Sequence, residues 1–74
     1  MITIDSDDIC PVILLKVLRV FKEAKDKDEI IVKSKWQAVV QELDKWCRET
    51  GNEYLGWNKD GEKYVVRIRV NKGE

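Results

Sequence analysis

A two-layer α+β sandwich with the element order βαβαββ is the fold this 74-residue sequence predicts, and three observations predict it. Two segments carry apolar residues at helical spacing. The stretches around them are short and either alternate or run apolar, as strands do. An Asp-Gly pair joins the last two stretches in the manner of a hairpin turn. Strands linked through helices lie parallel and strands linked by a tight turn lie antiparallel, so the four strands form one mixed sheet. Right-handed crossovers place both helices on one face of it. Residues 1–74 read as a single domain in which 71–74 form a polar tail. A chain of this size buries only about 60% of its unfolded surface and leaves no material for a second core.

Met1 to Ile4 opens the chain with Ile2 and Ile4 on one side of Thr3, the pattern of a short half-buried strand. A brief acidic link, Asp5 to Ile9, leads to Cys10-Pro11 and the run Val12 to Ala24. In that run Ile13, Leu14, Val17, Leu18 and Phe21 recur at helical spacing, with Lys16, Arg19, Lys22 and Glu23 between them. A charged turn to Asp28 precedes Ile30, Ile31 and Val32, a strand covered on at least one side. Ser34 and Gln37 are spaced as a capping box for a second helix, whose stripe is Trp36, Val39, Val40, Leu43, Trp46 and Cys47 and whose stop is Gly51. Glu53 to Trp57 and Glu62 to Val70 then form a hairpin around Asn58, Lys59, Asp60 and Gly61. In the last strand Tyr64, Val66, Ile68 and Val70 face inward, and Lys63, Val65, Arg67 and Arg69 give the open face a basic character.

Fourteen basic and fourteen acidic side chains cancel, so no global field draws the protein to nucleic acid or to an anionic membrane. Two cysteines and no histidine exclude a self-contained structural zinc site. Neither a metal nor an organic cofactor is implied. Met1 to Asp8 carries three acids and no apolar core, unlike a secretion signal, and the longest apolar stretches fall far short of the roughly 20 residues of a membrane helix. The expectation is a cytoplasmic protein with reduced thiols.

Cys10 is the residue that points to chemistry. Proline suits the first position of a helix, where its missing N–H would have had no partner, so Pro11 at that position makes Cys10 the N-cap. Cysteine caps poorly beside Ser, Asp or Asn, and helix stability does not explain its use there. Unpaired N–H groups and the positive end of the helix dipole favour a thiolate. Two readings stand at this point: a reactive thiol, and a small buried hydrophobe that happens to precede a proline. Cys47, on the helical stripe, reads as packing.

The element order together with Cys10-Pro11 resembles the TusA/SirA-like sulfur-carrier family over nearly the whole chain. That family carries a Cys-Pro-x-Pro signature at the start of its first helix. Here Ile13 stands in the place of the second proline, and Asp5, Ser6, Asp7 and Asp8 replace a loop that commonly contains glycine. Ser34, Lys35 and Trp36 replace an Asp-Pro-Ala-like turn before the second helix. The resemblance implies that Cys10 accepts sulfane sulfur as a persulfide and passes it to a partner protein, with Pro11 supporting the site. It implies a sulfur-donor protein, such as a desulfurase or a rhodanese-like or DsrE-like protein. It also implies an acceptor leading towards tRNA thiolation, cofactor synthesis or sulfur oxidation. Asp7 and Asp8 are either partner-recognition residues or solvated loop acids. Their charge would raise the thiol pKa while the helix end lowers it.

Two further readings compete. One is a protein-interaction or regulatory module that keeps the fold without the transfer chemistry. The other, weaker, is nucleic-acid binding on the open sheet face through Lys63, Arg67, Arg69 and Lys33, with Trp57 for stacking. Trp36 and Trp46 are expected in the core, and Trp57 at a strand end is the one tryptophan available to a partner.

Overall fold

A computed structural model describes residues 2–5 and 8–72, with the exception of the Cys10 side chain. Its order is β1 (Ile2–Asp5), α1 (Cys10–Glu23), β2 (Glu29–Ser34), α2 (Gln37–Thr50), β3 (Glu53–Asp60) and β4 (Lys63–Arg69). The sheet runs β1-β2-β4-β3, with β1 parallel to β2 and the other pairs antiparallel. The predicted sandwich is the observed one. The two strands that follow helices directly in the crossover scheme lie inside or at the far edge, and β1 is an edge strand, so α1 begins at the rim of the sheet.

One face of the sheet meets the helices. Ile4, Ile30, Val32, Val66 and Ile68 from the sheet pack with Ile13 and Val17 of α1 and Val39, Val40, Leu43 and Cys47 of α2. The helical spacing of those residues turns one stripe of each helix inward, and the strand alternation does the same for the sheet. Phe21 and Trp46 close the end of the core edge-to-face at 5.3 Å. Gly51 ends α2 in the left-handed conformation, φ 79°, where a side chain would be strained.

Three local expectations change. Ser34 belongs to β2, paired with Tyr64, and α2 begins later with Trp36 as N-cap and no side-chain cap. Extension of the β2–β4 ladder holds Ser34 in the sheet, so no capping box forms. Its fully buried hydroxyl accepts the Trp36 backbone N–H at 3.1 Å. The hairpin is also tighter than expected: β3 runs to Asp60, and Gly61, at φ 63°, with Glu62 makes the turn. A two-residue turn with glycine first matches the twist of the flanking strands, which lets the ladder reach Asp60 and Lys63. Finally, α1 starts one residue early, with Ile9 as N-cap and Cys10 and Pro11 as its first two residues. Proline fits the second position as well as the first, because neither N–H has an intrahelical partner.

Candidate functional site

The site is built where β1 hands the chain to α1. Ile9 is extended (φ −67°, ψ 158°), and its carbonyl accepts the amides of Val12 at 3.0 Å and Ile13 at 3.2 Å. Cys10 therefore sits in the first turn of a 14-residue helix whose first turn contains no acid. The positive end of the dipole is undiminished by any carboxylate within that turn. The side chain of Cys10 and the whole of Asp7 lie outside the described residues.

The loop ahead of Cys10 is tied down twice at Asp8. Its carboxylate pairs with Lys16 of α1 at 2.6 Å, and its carbonyl accepts the indole N–H of Trp36 at 2.9 Å. Trp36 is thus not a core residue of the α2 stripe. It is 41% exposed, and the Lys35 ammonium lies 5.5 Å from its ring centre. Helical periodicity assigned it inward because it is spaced like Val39 and Val40, but the N-cap backbone leaves the helical path and turns the ring towards the Cys10 loop. No sequence signal marked it, because the spacing of Ser34 and Gln37 put the cap at Ser34 and only the structure moves it to Trp36.

A match to the family model for sulfurtransferase TusA extends over residues 3–70. The chain belongs to the TusA sulfurtransferase family. Among solved structures it is similar to the crystal structure of a SirA-like protein from Desulfitobacterium hafniense, with a TM-score of 0.84 and 23% identity over 97% of this chain and 100% of that one. That likeness is one of fold. No curated protein sequence matches the chain.

Measured against the family signature, Ile13 is the departure with a structural reason. It lies fully buried on the inner face of α1, so the place of the second proline in the Cys-Pro-x-Pro signature here supplies a core side chain. Along the same helix Ile9, Val12, Leu15 and Leu18 are exposed, with Lys16, Arg19 and Lys22 among them. Among the described residues no helix is long and apolar enough to cross a membrane, and no group of three or more His, Cys, Asp or Glu could hold a metal ion.

The open sheet face differs from the basic surface the sequence suggested. Arg67 pairs with Glu29 at 2.7 Å, Arg69 with Glu53 at 3.1 Å and Lys63 with Asp5 at 2.5 Å. Lys63 and the nearby Lys33 hold the Asp5 carboxyl below its ordinary pKa, the hydrogen bond from Lys63 being the main cause. Strand order and register brought each of these three cations within reach of an acid, Arg67 and Arg69 from the neighbouring strands and Lys63 across β2, a coincidence that no single strand reveals. Trp57 is opposite Val66, which places it on the helix side of the sheet, against Tyr64 at 5.5 Å. The open face therefore lacks the aromatic that the nucleic-acid reading required.

Cys47 is buried in the core as expected, 1% exposed. Burial, with a smaller contribution from Asp44, pushes its thiol up to about 11. It is a protonated packing residue at neutral pH.

Proposed function

We propose that this protein is a sulfur carrier in which Cys10 cycles between thiol and persulfide. The Cys10 thiolate attacks the outer sulfur of a donor's persulfide, the donor's S–S bond breaks, and the donor leaves as a thiolate while Cys10 holds the transferred atom. An acceptor thiolate then attacks that atom and Cys10 leaves, restored. No net oxidation occurs and no cofactor takes part. The observation that carries this reading is the family match over 3–70 combined with the position of Cys10 in the first turn of α1. A persulfide ionises more readily than a thiol, and its charge is stabilised by the N–H groups of a helix start.

The partners are sulfur-donor and sulfur-acceptor proteins of a cytoplasmic relay. The exposed apolar residues along α1 next to Cys10 suit a protein partner, and Lys16, Arg19 and Lys22 suit one with an acidic rim. In this reading Asp7 and Asp8 contribute to recognition, with Asp8 meeting the partner as half of its ion pair with Lys16.

Mass spectrometry after exposure to polysulfide or to a sulfur-loaded donor protein tests it. One sulfur atom added to wild type and none to Cys10→Ser is the expected result. Equal loading of the two would remove Cys10 from the chemistry. No loading of wild type, with partner binding indifferent to Cys10→Ser, would make the protein an interaction module instead.

A further inference from the structure

We infer that Trp36 is a positioning residue for Cys10, acting through the hydrogen bond from its indole N–H to the Asp8 carbonyl. The inference rests on the sulfur-carrier reading for what Cys10 does, but the contact itself is independent of it. Nothing in the stability of α2 calls for tryptophan at this place. N-caps are usually Ser, Thr, Asp or Asn, and Trp36 makes no side-chain cap. Core filling does not call for it either, because the residue is 41% exposed while Trp46 fills the core edge against Phe21.

What Trp36 does have is a fixed base and a distant target. Its backbone N–H donates to the buried Ser34 hydroxyl at 3.1 Å, and its carbonyl accepts the Val39 amide at 3.2 Å. The residue is therefore anchored to the end of β2 and to the first turn of α2. From that anchor the indole reaches a carbonyl 28 residues earlier in the chain, at 2.9 Å. Asp8 is the residue before Ile9, whose carbonyl caps the Val12 and Ile13 amides, and Cys10 follows directly.

The frame thus runs from the sheet through Trp36 to Asp8 and on to the first turn of α1. Lys16 holds the same residue through the Asp8 carboxylate. Without these ties Asp8 and Ile9 would sample more backbone conformations, each starting α1 at Cys10 differently. A reacting atom gains from being held in one attack geometry, and small displacements lose rate.

Trp36→Phe keeps an aromatic ring and removes the donor. Amide exchange followed by NMR should show the Val12 and Ile13 amides exchanging roughly three- to tenfold faster, the loss expected for one hydrogen bond of ordinary net worth. Val66 and Ile68 amides in the sheet should keep their wild-type rates. Unchanged Val12 and Ile13 amides would overturn the inference, and so would a uniform acceleration that includes the sheet, since Trp36 would then serve the fold at large.

In wild type the Trp36 indole N–H should exchange more slowly than that of Trp57, and equal rates would also count against the contact. The initial rate of sulfur loading on Cys10 from polysulfide should fall severalfold in Trp36→Phe with the same final extent. An unchanged rate alongside loosened amides would sink the positioning role. If wild-type Cys10 takes up no sulfur, the carrier reading fails by itself, and the rate of Cys10 alkylation by iodoacetamide then reports the same positioning effect.

Discussion

Raising the pH from about 7.5 to about 10 should weaken this domain through Cys47. The thiol is moved from its ordinary value of 9.0 to about 11 in the folded chain, chiefly by burial and then by Asp44. A raised pKa means that the folded state holds its proton more tightly than the unfolded one. The associated stability is fully present below the unfolded value and is lost as the pH climbs towards the folded one. At about pH 10 the unfolded thiol is roughly nine-tenths ionised and the folded one roughly one-tenth, so the folding equilibrium falls about tenfold, or about 1.4 kcal/mol. For a chain of 74 residues that is a sizeable share of a total of roughly 4 to 11 kcal/mol.

Urea unfolding followed by tryptophan fluorescence at the two pH values measures the loss. Cys10→Ser provides the background, so that a single thiol titrates. Adding Cys47→Ala should remove most of the decline. Tyr54 is shifted in the same direction by burial, Asp44 and Cys47, and is present in both proteins, so most of its share cancels in the comparison. An identical pH dependence with and without Cys47 would refute the reasoning, because the thiol would then not be held protonated by the core.

Three further outcomes follow from the packing and the charge pairs. Leu43→Ala, at a fully buried position between α2 and the sheet, should cost about 2.7 to 5 kcal/mol and lower Tm by roughly 15 to 30 °C. Leu15→Ala, at a position 60% exposed, should change stability by less than about 0.5 kcal/mol, and thermal unfolding by circular dichroism compares the two. Lys63→Met should raise the Asp5 carboxyl pKa towards its ordinary 3.8, because the depressed value depends first on the Lys63 hydrogen bond. Stability from that pair is present above the ordinary carboxylate pKa and lost as the pH falls through the folded value. An NMR titration of Asp5 that is unmoved by the substitution would contradict the assignment.

The sequence determined the element types, their order and most of the core. Ile13, Val17, Val39, Val40, Leu43, Val66 and Ile68 were all legible, since burial follows a period of 3.6 in helices and 2 in strands. Periodicity is local, and so is the proline that placed Cys10 in the first turn of α1 within one residue.

The tertiary structure decided whatever depended on two distant segments meeting. Pairing with Tyr64 kept Ser34 in β2 and cancelled the expected capping box. Strand order and register matched Arg67, Arg69 and Lys63 with acids and turned Trp57 to the helix side. The parallel pairing of β1 with β2 brought both of their following loops to one end of the sheet, and only there could Trp36 find Asp8. No pattern along the chain encodes a hydrogen bond across 28 residues, because the approach of its two ends is set by the packing of every element between them.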